Sequence, residues 1–314
     1  MVERRSERRF ATDGVLVVDK PQGLSSAQVI GQIKRLTRPT KIGHAGTLDP
    51  FATGVLVVCF NQATKLAGYL TEQDKLYEGV LLLGQETDTQ DLTGRVVKRK
   101  PVQVSEREVL AAAETFLGRI SQRPPAFSAL KREGEPLYKK ARRGEKVEIE
   151  PRPVTIRRLT VTDFKPPRIS FEVLCSKGTY VRTLAHDWGR KLGCGGHLEQ
   201  LRRTASGRFS IEQALILGQV EVTAQRGKLG KTLIPPEKAL DWPGARLRDE
   251  AATMISQGRA LTSQELVGIQ PQFLRVGQRL KLINPAGQLI ALAELTPAEE
   301  GQGLAARPIR VLQA

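Results

Sequence analysis

The segment GHAGTLDPFATG, from Gly43 to Gly54, gathers the residue types in this chain best suited to chemistry. Gly43, Gly46 and Gly54 let the backbone turn tightly and approach a ligand. Pro50 biases the residue before it, Asp49, toward an extended conformation. A carboxylate held on such a loop is available as a nucleophile or a base. Taken alone, an Asp-Pro pair is also an ordinary turn, so the competing chemistries need weighing beside it. The histidines His44, His186 and His197 lack mutual metal-ligand spacing and an HExxH context. Cys59, Cys175 and Cys194 sit far apart, two of them in apolar strings, and read as buried reduced thiols. No serine occupies a GxSxG elbow. GKLGKT, at Gly227 to Thr232, superficially resembles a phosphate-binding loop, but Gln225 stands where that pattern needs glycine and IPP follows where it needs a helix. Hydrolytic triads, metal catalysis and nucleotide hydrolysis therefore lack a basis, and the Asp49 loop remains.

Two apolar runs brace that loop. GVLVVDK, Gly14 to Lys20, reads as a buried strand; PQGLSS breaks it and offers Ser25 or Ser26 as the cap of a helix over AQVIGQIKRL. VLVVCF follows the loop as a second strand. A small-residue loop between rigid elements is where chemistry tends to sit. Downstream, ATKLAGYL predicts a helix, YEGVLLLG a strand, and SEREVLAAAETFLG an amphipathic helix with a capping box. VTIRRLTVTDF and RISFEVLCSKG predict adjacent strands joined at KPP. TYVRTLAHDWGRKLG predicts a helix and HLEQLRRTASGRFS a strand. Strands both in series and alternating with helices point to an α+β, mixed sheet with helices packed on it. KTLIPPEKALDWPG, Lys231 to Gly244, is proline-rich and aperiodic, which marks a linker. Beyond it a short helix and short β segments predict a small β-rich module over 245–314, separate from a catalytic unit over 1–240.

Lys and Arg number 49 against 33 Asp and Glu, a formal net charge of +16 with a pI near 10.1. An excess of this size suits a polyanionic partner and equally suits a basic protein kept soluble by its charge. Across 131–158, ten Lys or Arg stand against five Glu, broken by Gly134, Pro136, Gly144, Pro151 and Pro153. That stretch reads as a solvated excursion or an RNA-contacting one. After Arg4, Arg5, Arg8 and Arg9 the apolar run GVLVV is too short for a signal peptide, and no uncharged apolar run reaches the roughly 18 residues of a membrane span. A soluble cytoplasmic protein is the expectation.

GHAGTLDPFATGVL closely resembles the catalytic motif of the bacterial TruB-type tRNA pseudouridine-55 synthases. DKPQGLSS at Asp19, KLYEG at Lys75, GTYVRTLAHDWG at Gly178 and HLEQLRRTASG at His197 resemble further motifs of that family, in the family's order. The likeness spans nearly all of the first 215 residues. It implies a pseudouridine synthase fold and isomerisation of the T-loop uridine 55 of tRNA, with no cofactor and no metal. It also implies Asp49 as the catalytic aspartate, Tyr77 stacked on the target uracil, and Arg182 paired with the aspartate to keep it ionised. His44, Tyr180 and Leu201 would line the uridine pocket, and Lys65 would supply a further basic position near it. The module after the linker resembles the family's PUA-type RNA-binding domain. The implied partner is tRNA, through its T arm and, at the C-terminal module, its acceptor stem, with no obligate protein partner and a monomeric enzyme. Two alternatives stand beside this reading. One is an RNA-binding or tRNA-folding factor with incidental modification activity; the other is the related guide-RNA-dependent enzyme of archaea and eukaryotes.

Overall fold

In the computed structural model the residues described are 9–128, 131–132, 135–137, 143, 145, 149–269, 271–298 and 303–312. GVLVVDK forms the strand Gly14–Lys20, with Val15 through Val18 all buried, as expected of a strand covered on both faces. It runs antiparallel to Thr53–Phe60, Val17 facing Val57. Between them lies the helix Ser26–Thr37, begun by a capping box. The Gln28 amide donates to Ser25 Oγ at 3.2 Å and the Ser25 amide to Gln28 Oε1 at 2.8 Å. Ser105 and Glu108 repeat the device at the start of the helix Glu106–Glu114.

The large sheet has ten strands. Thr53–Phe60 pairs in parallel with Gly196–Ser206, after which Lys75–Leu83, Arg168–Cys175, Arg152–Lys165 and Gly118–Gln122 follow antiparallel. Leu215–Ile216 adds a parallel edge beside Gly14–Lys20. The sheet is thus mixed, as the element order predicts, and largely antiparallel. Along Lys75–Leu83 burial alternates, with Lys75, Tyr77, Leu81 and Leu83 inward and Glu78 exposed. On the inward face the helix Val181–Lys191 packs through Trp188, whose ring meets Phe171 edge-on at 5.7 Å. Gly79 lies beneath Phe171. A Cβ there would come within 2.6 Å of the ring, so the close approach requires glycine.

A second sheet of five strands, Gly244–Arg246, Arg279–Ile283, Leu289–Pro297, Leu304–Val311 and Leu261–Thr262, carries the helix Asp249–Ser256. It has its own core around Leu280, Leu282, Ile290 and Leu295. The segment before it departs from the free linker that its prolines suggest. Ile234 exchanges two 2.8 Å backbone hydrogen bonds with Val15, and Ala239 and Leu240 are buried. Leu289 and Leu292 of the second sheet, with Leu312 just past its last strand, share a core cluster with Val15, Val17, Val55 and Val57 of the first. Pattern reading misses this because the anchors are single residues rather than a periodic face. At the seam, Tyr69 and Trp242 meet edge-on at 5.3 Å, and Arg279 lies over both rings while reaching Glu72 at 3.3 Å.

Candidate active site

Asp49 sits where three pieces of chain converge. From below, the Lys20 ammonium donates to the carbonyls of Leu24 at 2.7 Å, Pro21 at 2.9 Å and Pro50 at 3.3 Å, and the Gly23 amide donates to Pro50 O at 2.7 Å. Ser26, in the first turn of its helix, accepts from the Leu48 amide at 2.9 Å. The DKPQGLSS stretch therefore grips the loop on both sides of Asp49. From above, the buried Arg203 donates to the carbonyls of Val55, Gly46 and Thr47 at 2.6, 3.1 and 3.4 Å. Gly46 and Gly54 adopt φ of +96° and +101°, where a side chain is strained, and a Cβ at Gly54 would lie 2.2 Å from Arg203 O.

The third piece is the helix Val181–Lys191. Its start is fixed by Gln122, whose Oε1 accepts from the Tyr180 amide at 2.7 Å while its Nε2 donates to Tyr180 O at 3.1 Å. Arg182, only 3% exposed, projects from the first turn. Its Nη2 donates to Asp49 Oδ1 at 3.3 Å, and Nε lies 2.9 Å from Oδ2, an ion-pair distance without hydrogen-bond alignment. Nη1 binds Asp91 Oδ2 at 3.1 Å and Thr89 O at 3.1 Å, and Nη2 also reaches Phe127 O at 3.0 Å. Asp91 is 3% exposed and is oriented by the Thr93 amide at 2.9 Å and the Thr93 and Thr89 hydroxyls at 2.5 and 2.7 Å.

These groups border a cavity of about 300 Å³ lined by Asp49, Tyr77, Tyr180, Arg182 and Leu201, with Lys75, Lys177 and Arg203 among its other walls. The structure thus brings together five of the seven residues singled out in the sequence. His44 and Lys65 do not line the cavity. His44 ends the short strand Ile42–His44, opposite Val58; burial, reinforced by the nearby Arg203 charge, lowers its pKa, and its Nδ1 has no hydrogen-bond partner. Lys65 instead donates to the carbonyl of Leu312, just past the last strand of the second sheet, at 2.7 Å. The position near the site that the resemblance implies for Lys65 is therefore not where its ammonium is held. Asp91, Arg203 and Gln122 are the positioning residues that sequence reading passes over, because each acts on a partner brought close only by the fold. Asp91 alone leaves a trace, in the threonine-rich turn ETDTQDLTG.

Asp49 keeps 35% of its side chain open to the cavity, yet the protein around it desolvates the carboxylate and pushes its pKa above the ordinary value. Arg182 and Lys20 pull it down and Asp91 pushes it up. Arg182 thus opposes the desolvation of Asp49, as the sequence expects, but its guanidinium is shared with a second carboxylate and the net shift is upward. Burial also lowers Lys20 and Lys75 to about 8, each surrounded by backbone carbonyls and repelled by Arg203. Tyr77 is pushed up by burial, with the nearby charge of Arg203 opposing. A carboxylate with a fixed cationic partner, facing a cavity with aromatic and aliphatic walls, can attack an electrophilic carbon or relay a proton while a flat ring is held beside it.

A family model described as TruB family pseudouridylate synthase, N-terminal domain, matches residues 34–181, and one for the tRNA pseudouridylate synthase B C-terminal domain matches residues 182–241. The chain is 41% identical over 294 residues to tRNA pseudouridine synthase B of Syntrophotalea carbinolica, covering 93% of this chain and 95% of that one. It is 42% identical over 292 residues to the protein of the same name from Pseudomonas aeruginosa, covering 92% and 93%. Among solved structures it resembles a Cbf5–Nop10–Gar1 complex chain with a TM-score of 0.74 at 27% identity, over 96% of this chain and 85% of that chain.

Proposed function

The chain belongs to the TruB family of pseudouridylate synthases, and from that premise we propose that it converts the T-loop uridine 55 of tRNA to pseudouridine, with Asp49 as nucleophile and without a guide RNA. The enzyme is a tRNA pseudouridine synthase, an isomerase. The observation that carries the mechanistic reading is the Asp49–Arg182 pair at the wall of a cavity sized for one nucleoside and flanked by Tyr77, Tyr180 and Leu201. A uridine inside a folded loop must be extruded to reach such a site, and the lost stacking has to be replaced by protein surfaces. Tyr77, on a strand and 9% exposed, offers a rigid ring for this, with Leu201 beside it.

The reaction breaks the C1′–N1 bond, turns the base and rejoins it through C5, so the redox state and composition of the nucleoside are unchanged. Asp49 can attack C1′, add to the base, or support elimination across C1′ and C2′. All three routes need the carboxylate ionised and held, and Arg182 meets both needs with Asp91 and the carbonyls of Thr89 and Phe127 fixing its plane. The second sheet, of PUA type in this reading, contacts the acceptor stem while the catalytic sheet takes the T arm. The basic stretch 131–158 contributes phosphate contacts. Of its residues Arg143 is already held by Glu135 at 2.8 Å and Glu145 at 2.6 Å, whereas Lys139, Lys140 and Arg142 lie outside the described residues. The enzyme works as a monomer in the cytoplasm.

The test is incubation of the pure protein with unmodified tRNA carrying C5-tritiated uridine, followed by chemical mapping of the product. Tritium release with modification confined to the T loop, with no added RNA or protein, is expected. Release only after addition of a guide RNA would select the guide-dependent alternative, and tRNA binding without release would select the folding factor.

A further inference from the structure

A nucleotide that leaves its loop to put a base into a cavity stays covalently joined to its neighbours. Its uracil and ribose go inward, and the phosphodiesters on either side of that ribose are left at the mouth. Each brings a negative charge toward a cavity that already holds the Asp49 carboxylate. A cation at the mouth, able to turn toward the incoming phosphate, would answer that charge and fix the position of the nucleotide.

Among the described residues, the cations that line the cavity are Lys75, Lys177, Arg182 and Arg203. Three of them are buried and engaged. Lys75 is 5% exposed, and its ammonium donates to the carbonyls of Thr71 and Gln73. Arg182 is divided between Asp49 and Asp91, and Arg203 is given over to the carbonyls of Val55, Gly46 and Thr47. Lys177 differs from all three. It lies on the turn between the strand Arg168–Cys175 and the helix Val181–Lys191, with 56% of its side chain exposed. Its ammonium meets the Glu72 carboxylate at 3.2 Å. Glu72, itself 44% exposed, has a second cation in Arg279 of the second sheet at 3.3 Å, and Arg279 lies over the rings of Tyr69 and Trp242. The Lys177–Glu72 pair is therefore arranged for exchange. Both members are open to water, where an ion pair adds little, and Glu72 keeps Arg279 as counter-ion when Lys177 leaves it.

We propose that Lys177 is the phosphate anchor of the extruded nucleotide, passing from Glu72 to a phosphodiester beside the target uridine when the base enters the cavity. The inference rests on the reading of the cavity as the uridine site. An ammonium on a flexible four-carbon stem suits the exchange, since it is a point charge that turns from one oxyanion to another without a fixed fork geometry. The charges at the site also come into balance: the phosphate carries a negative charge toward Asp49, and Lys177 meets it with a positive one. Glu72 is the placeholder that keeps Lys177 at the mouth in the free protein. Because it competes with the RNA for the same ammonium, removing its charge strengthens binding rather than weakening it.

The test uses the full-length protein and synthetic T-arm hairpins carrying C5-tritiated target uridine. In two of them one phosphodiester, on the 5′ or the 3′ side of that uridine, is replaced by a neutral methylphosphonate. The readout is the protein concentration that half-saturates single-turnover tritium release. One of the two replacements is expected to raise it about tenfold for the parent, the loss of one charge-assisted contact. Lys177→Gln is expected to show a similar rise with the unmodified hairpin, no further rise with that replacement, and a salt slope shallower by about 0.7 to 0.9, one phosphate's share. Glu72→Gln is expected to tighten binding about twofold to fivefold, the scale of one exposed ion pair, and to do less in a Lys177→Gln background. Losses that add when Lys177→Gln meets either methylphosphonate would overturn the proposal, as would a parent indifferent to both replacements. So would a Glu72→Gln protein that binds as weakly as Lys177→Gln, since a pair that only holds the fold loses the same whichever partner is removed. Asp49→Asn separates the two levels: if it still releases tritium from the unmodified hairpin the uridine-site reading itself fails, whereas an inactive Asp49→Asn with additive losses sinks only the Lys177 assignment.

Discussion

Truncation after Gly244 should unfold the large sheet rather than merely weaken tRNA binding. A separable module predicts a folded remnant with reduced affinity, but the packing argues otherwise. Leu289, Leu292 and Leu312 are at most 3% exposed and sit in one cluster with Val15, Val17, Val55 and Val57. Burying a leucine side chain contributes roughly 1.5 to 3 kcal/mol, so removing three of them exposes a surface worth on the order of 5 kcal/mol. The loss also takes away the Lys65 bond to Leu312, the Lys281 bonds to Glu237 and Leu240 at 2.8 and 2.9 Å, and the Arg279 stack on Tyr69 and Trp242. Domains of ordinary stability have about 5 to 15 kcal/mol in all. Thermal melting and urea titration of residues 1–244 against the full chain provide the assay. The expected result is a midpoint lowered by more than about 10 °C, or a chain that does not accumulate in soluble form. A truncated chain melting within about 2 °C of the parent would refute the shared-core argument.

Asp91→Asn should leave the fold intact yet lower kcat at saturating tRNA by about tenfold or more, because Arg182 loses the second carboxylate that sets its plane; an unchanged kcat would remove Asp91 from the site. Because burial raises the Asp49 pKa, kcat/KM should fall on the acid side through a value above the ordinary carboxylate value of about 3.9, and a pH profile flat down to that value would contradict it. The same shift makes ionised Asp49 a cost to the fold at neutral pH. Asp49→Asn should therefore melt at or above the parent temperature at pH 7, with the difference vanishing below the ordinary carboxylate range, where both chains are uncharged at this position. Charge reversal at Lys139, Lys140 and Arg142 should weaken tRNA binding and flatten its salt dependence by about 0.7 to 0.9 for each phosphate that is no longer neutralised, a slope readable from filter binding across a salt series.

The elements that a sequence announces through local chemistry stand where it puts them. Gly14–Lys20 appears at the predicted residues, and the helices over Ser26–Thr37 and Glu106–Glu114 begin at their serine caps. The strands Arg152–Lys165 and Arg168–Cys175 pair antiparallel across KPP. Asp49, Tyr77, Tyr180, Arg182 and Leu201, recognised from separate motifs, converge on one cavity. What stays illegible depends on where a long side chain reaches. Lys65 and Arg203 carry the same kind of charge, yet one reaches across to Leu312 and the other is buried against the loop that carries Asp49. Residues 231–244 likewise look like a tether until Ile234 is seen paired with Val15.

The central claim is that Asp49 performs the chemistry rather than holding the loop. Single-turnover tritium release from C5-labelled tRNA by Asp49→Asn, measured with the tRNA dissociation constant of the same protein, tests it most directly. The amide replaces the carboxylate at nearly constant shape, and the loop remains held by Lys20, Ser26 and Arg203. The account predicts no detectable release with affinity within about tenfold of the parent. Release at a substantial fraction of the parent rate, or a loss of binding that matches the loss of rate, would contradict it.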